Sequence, residues 1–203
     1  MTTRNRQATA LTLACLCAAA LVGCTNDSPK AGQPNTAPPS SSSTPATSVP
    51  TSNPSSTMTT PTAPPGRPST ADGLGLSAAE DFLKHYIDLL NFTYATGDTH
   101  PLLAASDKGC VGCQGTADYL LKTNARNGGL SGDYTDHLID VKELFRGDSG
   151  RLGGSMTVRS GNYIERPTPS ASPVPKQAHT ETWQFTLAPA KGNWVMYEIQ
   201  VDQ

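Results

Sequence analysis

Basic residues, aromatic residues and long apolar segments are all scarce in this chain of 203 residues. Lys and Arg number 15 against 17 Asp and Glu, and the formal net charge of −2 includes no basic patch. Nucleic acids and anionic lipid surfaces attract proteins largely through clustered positive charge, so we expect neither as a direct binding partner. Aromatic residues are only 6% of the chain, and all of them follow residue 80. A hydrophobic core is therefore expected only in the C-terminal part.

The long apolar run near the start, residues 8–22, follows Arg4 and Arg6 and ends at the sequence Leu-Val-Gly-Cys. A mature membrane-spanning helix needs about 20 apolar residues, so this run has the length and flanks of a secretory signal instead. Its last four residues resemble the lipobox of bacterial lipoproteins. The resemblance implies a signal peptide at residues 1–23, cleavage before Cys24 and lipid on the Cys24 sulfur. We expect a protein anchored by lipid to the extracytoplasmic face of the cell membrane.

The five cysteines are accounted for by this interpretation. Cys15 and Cys17 lie in the signal and Cys24 takes the lipid, which leaves Cys110 and Cys113. An exported protein with one remaining pair is expected to form one disulfide. The alternative is a thiol–disulfide oxidoreductase, in which a helix N-terminus activates a Cys-x-x-Cys thiol. No βαβ setting precedes this pair, and Val-Gly separates the two cysteines, so the structural disulfide is preferred.

Metal and haem sites are not expected. A c-type haem site needs histidine after the second cysteine, where Gln114 stands, and a zinc site needs two further ligands. The four histidines show no ligand spacing; they are His85, His100, His137 and His179. We therefore expect no cofactor and no metal.

Residues 24–72 form a second compositional region, rich in Pro, Ser, Thr and Ala and without aromatic residues. Such a segment buries too little apolar surface to fold and is expected to be a disordered spacer behind the lipidated cysteine. The remaining residues, 73–203, are long enough for one domain with a single core.

Helical signals come first within that domain. Ser77 and Glu80 match a capping box, and apolar residues recur at three- and four-residue spacing behind it, which predicts a helix over residues 78–96 that ends at Gly97. A short helix is expected at residues 98–105. A third helix is expected at residues 114–125, with three adjacent residues on its inner side: Tyr119, Leu120 and Leu121.

Strand signals follow the helices. Segments rich in aromatic and β-branched residues predict strands at residues 134–145, 156–166, 179–187 and 194–201, and four prolines predict a mobile loop at residues 167–176. Helices followed by strands, without βαβ alternation, indicate an α+β fold in which N-terminal helices pack on a curved antiparallel sheet.

Two resemblances support this fold class. The block Asn91-Phe92-Thr93-Tyr94-Ala95-Thr96-Gly97-Asp98-Thr99, followed by the Cys-x-x-Cys pair, resembles an actinobacterial lipoprotein family of unknown function. The final strand, with Gly-Asn-Trp at residues 192–194, is similar to that of the cone-like nuclear-transport-factor-2-like fold. The first family has no known catalytic residues, and fold alone does not specify function.

Function is left with three hypotheses. The preferred one is a lipid-anchored module that binds a small molecule, a wall component or another cell-envelope protein, and a third is a structural or accessory subunit with no ligand. The alternative is an extracytoplasmic enzyme, either the oxidoreductase above or a small-substrate isomerase or hydratase with an acid and a base in the cone. Residues of a type suited to the acid and base of an isomerase or hydratase are Tyr86, Tyr94, Asp140, His179 and Glu198. The sequence does not show that any two of these side chains lie close together, so no catalytic site is assigned.

Overall fold

A computed structural model describes residues 60–201 of the chain. Within them, helices precede strands, as the sequence predicts. The helices are α1 (Leu76–Thr96), α2 (His100–Ala104) and α3 (Val111–Thr123), with short 3₁₀ turns at Ser69–Ala71 and Ala125–Asn127. The strands are β1 (Leu130–Gly132), β2 (Asp136–Arg146), β3 (Leu152–Ser160), β4 (Tyr163–Glu165), β5 (Val174–Lys176), β6 (His179–Ala190) and β7 (Asn193–Val201).

The strands form two antiparallel sheets. The larger has the order β2-β3-β6-β7 and the smaller the order β1-β4-β5. The strand predicted at residues 156–166 is therefore wrong in its bounds, because β3 ends at Ser160 and β4 belongs to the other sheet. The loop predicted at residues 167–176 is partly wrong as well, since it contains β5. Pro175 lies opposite Ile164 in that strand, and an edge strand tolerates proline because its outward side needs no donor.

Helix α1 supplies much of the core. Its apolar side is buried together with residues from one face of the larger sheet. The largest fully buried side chains include Phe82 and Tyr86 of α1, Met156 and Leu187 of the sheet, and Trp194 at the start of β7. Register shifts in β2 and between β6 and β7 mark bulges, which bend a sheet. Helices packed on a curved antiparallel sheet are the α+β arrangement that the sequence predicts.

The start of α1 differs from its prediction. Ser77 lies inside the helix, and the N-cap residue is Gly75, which makes no side-chain cap. The Gly75 carbonyl instead accepts hydrogen bonds from the Ala79 amide and from the Trp194 indole nitrogen, both at 3.1 Å. The predicted capping box is therefore wrong, and the residue before the helix instead contacts β7. The predicted end is confirmed: Gly97 is left-handed, with φ at 71°.

Helix α3 begins earlier than predicted. Cys110 is its N-cap residue, and the Cys110 sulfur accepts a hydrogen bond from the Cys113 amide at 3.1 Å. Only Leu120 of the three predicted inner residues is buried, whereas Tyr119 and Leu121 are 42% and 48% exposed. Adjacent helical residues point about 100° apart, so the two neighbours of a buried residue turn toward solvent on either side.

The packed part of the chain also begins before residue 73, where the sequence placed the domain boundary. Ala71 is fully buried. The Arg67 guanidinium donates to the Ala71 carbonyl at 2.7 Å and to the Trp194 carbonyl at 3.0 Å, and it lies over the Phe82 ring, 4.8 Å from its centroid. The end of the predicted spacer is thus part of the fold.

Helices within residues 60–201 are all too short or too polar to cross a membrane.

Candidate functional site

A cavity of about 550 Å³ lies between the N-terminal segment and the outer side of α1. Residues 60–65 form one wall, and the loop before β2 contributes another. The lining side chains are mostly apolar, and those from α1 and from the loop before β2 are Asp88, Asn91, Phe92, Ala95, Tyr134 and Thr135.

The wall between α1 and β2 is held by paired hydrogen bonds. The Asn91 side-chain amide donates to the Asp136 carbonyl at 2.8 Å, and its oxygen accepts from the Asp136 amide at 2.8 Å. Tyr134, which is 9% exposed, has its ring centroid 6.2 Å from that of Tyr94. The helix and the start of the strand are therefore fixed relative to each other on this side of the cavity.

Asp88 is the charged residue among the described lining residues of this cavity. Desolvation raises the pKa of its carboxyl group, and the nearby His85 acts in the opposite direction. His85 itself is buried, and desolvation together with the Arg67 charge lowers the pKa of its ring below 6.5. The cavity thus presents an apolar surface with one carboxylate at its edge.

A second polar group lies at the end of the larger sheet, two residues after Tyr134. Asp136 begins β2 and is 5% exposed, and the Ser160 hydroxyl at the end of β3 donates a hydrogen bond to its carboxylate. Burial raises the pKa of Asp136, as does the nearby Glu181, while Ser160 opposes the shift. A buried carboxyl group with a raised pKa beside a hydroxyl is chemically able to accept and return a proton.

Tyrosines and a second carboxylate adjoin this group. Glu165 of β4 is buried and pairs with the Lys176 ammonium at 3.4 Å. Burial raises the pKa of Tyr94 well above 10.0, and the charges of Asp136 and Glu165 raise it further. Burial likewise raises the pKa of Tyr163, with Glu165 and Asp136 contributing. These four groups come from three elements: Tyr94 from α1, Asp136 from β2, and Tyr163 and Glu165 from β4.

The structure separates the five residues that the sequence offered for acid–base chemistry. Tyr86 lies in the core, its hydroxyl 3.1 Å from that of Ser106, and burial raises its pKa to about 12. Asp140 is exposed near Lys142, at 3.4 Å. Glu198 is exposed and accepts a hydrogen bond from Gln200 at 2.7 Å.

The other two lie near one carboxylate. Tyr94 and His179 both interact electrostatically with Asp136, and the His179 ring lies 3.1 Å from Glu181. The sequence reasoning missed Asp136, Ser160 and Glu165. An acidic residue at an inward position of a strand is the signal that identifies Asp136, because inward positions are otherwise apolar.

The cysteine pair is placed at disulfide distance, with Cα atoms 5.3 Å apart. Cys110 and Cys113 are 1% and 0% exposed. Between them, Gly112 lies against the Ile199 carbonyl of β7, where an added Cβ would collide with the backbone. The pair therefore closes the first turn of α3, at the point where that helix packs against β7. The predicted lipidation site, Cys24, lies outside the described residues.

Metal-binding clusters of three or more His, Cys, Asp or Glu side chains are not found within residues 60–201.

Residues 60–200 match the model of a family described as "Family of unknown function (DUF6318)". The chain belongs to that family. The predicted membership of an uncharacterised family is confirmed, and the DUF6318 match includes the segment of residues 60–72 that the sequence assigned to the spacer. No curated protein matches the chain.

Several solved structures are similar to this DUF6318 protein in fold alone. The intermembrane space region of chloroplast protein ARC6 is 16% identical, with 63% of this chain and 95% of that chain covered and a TM-score of 0.49. The Rd1NTF2_05 variant is 16% identical, with 62% and 96% covered and a TM-score of 0.40. A putative polyketide cyclase from Xanthomonas campestris pv. campestris is 16% identical, with 61% and 87% covered and a TM-score of 0.35.

Proposed function

We propose that this DUF6318 protein is a lipid-anchored module on the extracytoplasmic face of the membrane that binds a small, largely apolar molecule. The observation that carries the proposal is the cavity of about 550 Å³ between residues 60–65 and α1. Small-molecule sites in proteins are typically concave, predominantly apolar and about 300–1,000 Å³ in volume, with a few polar groups that orient the ligand. The cavity has each of these properties.

The wall of the cavity is also within the family match. That match begins at residue 60, which is where the wall formed by residues 60–65 begins. A spacer with no role besides length would not need to belong to the sequence that defines the family. The match therefore supports a function for the wall beyond that of a tether.

The binding proposal is tested with N-phenylnaphthylamine, whose fluorescence rises when it leaves water. Ala95 lines the cavity and is half-buried on α1, so Ala95→Trp fills the space with an indole. We expect the probe to bind the wild-type protein and to lose at least tenfold in affinity to this variant. Ala104→Trp, at an exposed position of α2, is the matched control. Equal probe affinity in both variants would contradict the proposal.

The anchor is tested separately. Cys24→Ala removes the sulfur that would carry the lipid, and two acyl chains are what stable membrane attachment requires. We expect the variant to move from the detergent phase to the aqueous phase in a phase-partitioning assay of cells that produce the full chain. Partitioning identical to wild type would show that Cys24 is not the anchor.

Proton transfer is a second candidate function, favoured by the buried Asp136 carboxylate beside Ser160 and Tyr94. An isomerase of this kind would convert cyclohex-3-enone to its conjugated isomer, which absorbs more strongly in the ultraviolet. Asp136→Asn would abolish that conversion, and its persistence in the variant would exclude Asp136 as the base. The thiol–disulfide alternative is not proposed, because both cysteines are buried and a protein substrate needs access to a sulfur.

A further inference from the structure

We propose that the ligand of the α1 cavity is an organic cation, an apolar molecule with an amine group that pairs with Asp88. This inference rests on the proposed binding function and specifies the class of ligand. Its basis is the charge of Asp88 and the hydrogen bonds that two neighbouring polar side chains already make within the protein.

Two of the polar side chains at the wall already form hydrogen bonds within the protein. The Asn91 amide uses its oxygen and its nitrogen on the Asp136 backbone. The Thr135 hydroxyl donates to the Asp133 carboxylate at 2.8 Å and lies 3.3 Å from the His137 ring. Neither is well placed to give a ligand its main polar contact, because a new partner would have to replace an existing hydrogen bond.

Asp88 differs from both. It is the charged lining residue, it is exposed, and no Lys or Arg of the described residues lies within ion-pair distance of it. The residues beside it on the cavity wall are apolar, including Phe92 and Ala95. A charge beside low-dielectric surface attracts an opposite charge more strongly than the same charge surrounded by water.

The nearest titratable neighbour does not neutralise this carboxylate at neutral pH. His85 is 6% exposed, and its burial and the Arg67 charge both favour the uncharged ring. The carboxylate therefore keeps its negative charge available to a ligand. The aromatic side chains at the wall, Phe92 and Tyr134, add surface of a kind that also attracts organic cations.

The test uses three compounds with the same apolar body and different polar groups: naphthylmethylamine, naphthylmethanol and naphthylacetate. Each is titrated against bound N-phenylnaphthylamine at pH 7. We expect the amine to displace the probe at a concentration at least tenfold lower than the alcohol, and the carboxylate to be the weakest of the three.

Variants of Asp88 assign the preference to that side chain. Asp88→Asn is expected to bring the amine and the alcohol within twofold of each other, while Asp88→Glu keeps the preference. Asp81→Asn is the matched control, since Asp81 is on the same helix, does not line the cavity and pairs with Lys84 at 3.0 Å. That variant is expected to behave as wild type.

Failure of this inference and failure of the proposed function give different results. If none of the three compounds displaces the probe and the probe itself does not bind, the cavity is not a ligand site. If all three displace the probe equally, or if Asp88→Asn keeps the preference for the amine, the cavity binds apolar molecules and the assignment of a cation is wrong.

Discussion

Two glycines of α3 lie three residues apart and have opposite surroundings. A Cβ on Gly112 would collide with the Ile199 carbonyl, whereas a Cβ on Gly115 would have nothing within 4 Å. The backbone of β7 cannot move aside without breaking its pairing with β6, so the close approach at Gly112 requires the absence of a side chain.

Gly112→Ala and Gly115→Ala should therefore change stability in opposite directions. We expect the first to lower the free energy of unfolding by about 1–3 kcal/mol, because the new methyl group is forced into the strand. The second should raise it by about 0.5–1 kcal/mol, since alanine loses less backbone entropy in a helix. Urea denaturation of both variants measures the difference. Changes of the same sign would show that α3 does not press on β7 as described.

Asp136 provides a prediction about pH. Burial raises its pKa above the usual 3.8, so between 3.8 and the folded-state pKa the folded protein binds more protons than the unfolded chain. Stability contributed by this residue therefore falls as pH rises through that window, and the full cost of burying the charge is present at neutral pH. Each unit of pKa shift corresponds to about 1.4 kcal/mol.

Asp136→Asn removes this cost while keeping an acceptor for Ser160. We expect the stability of the variant relative to wild type to increase between pH 4 and pH 7, as measured by urea denaturation at several pH values. Asp140→Asn, at an exposed position of the same strand, is the control. The stability of that variant relative to wild type should change by no more than a few tenths of a kcal/mol between pH 4 and pH 7. A pH-independent difference for Asp136→Asn would contradict the proposed cause of its pKa shift.

At the scale of elements, local sequence was a good guide where one periodic pattern extended over several turns. The prediction for α1, residues 78–96, is within two residues of the observed Leu76–Thr96, because its apolar spacing and Gly97 both act locally. The short strands β1 and β5 were missed. Each has three residues and depends on pairing with β4, so neither carries enough alternating sequence to be identified by itself.

The polar groups of the candidate sites were also less predictable, because strand pairing rather than local sequence brings them together. Asp136, Ser160 and Glu165 come from three different strands, and only the register of β2 with β3 brings Asp136 opposite Ser160. The cavity wall at residues 60–65 was assigned to the spacer, because its composition matches the residues before it. Tertiary contacts of Arg67, rather than composition, make the residues directly after this wall part of the fold.

Truncation tests where the folded region begins. A protein that starts at residue 60 keeps the Arg67 hydrogen bonds to Ala71 and Trp194 and the burial of Ala71. One that starts at residue 73 loses them, and we expect its free energy of unfolding to be lower by about 2–4 kcal/mol. Removal of residues 25–59 alone should have little effect, in keeping with their composition. Equal urea midpoints for all three proteins would restore the boundary at residue 73.

At the scale of the whole molecule, access to the cysteine pair depends on unfolding. Cys110 and Cys113 are buried under the contact between α3 and β7, so a reductant cannot reach either sulfur in the native state. We expect the pair to be reduced by dithiothreitol at the rate of global unfolding, with a rate that becomes independent of reductant concentration when reductant is abundant. Gly112→Ala should accelerate reduction and Gly115→Ala should slow it. Rapid reduction without unfolding would support the redox alternative.

The order of contacts along the N-terminal segment has a mechanical consequence. Residues 60–65 form a wall of the cavity, and the Arg67 hydrogen bonds to Ala71 and Trp194 follow them in the chain. A force that pulls on the protein from its N-terminal side would act on the wall first and on the Arg67 contacts only afterwards. Ligand release measured by probe fluorescence under optical-trap tension should therefore occur at a lower load than unfolding. In a protein tethered by its N-terminus, the cavity would then respond to stretching while the core stayed intact.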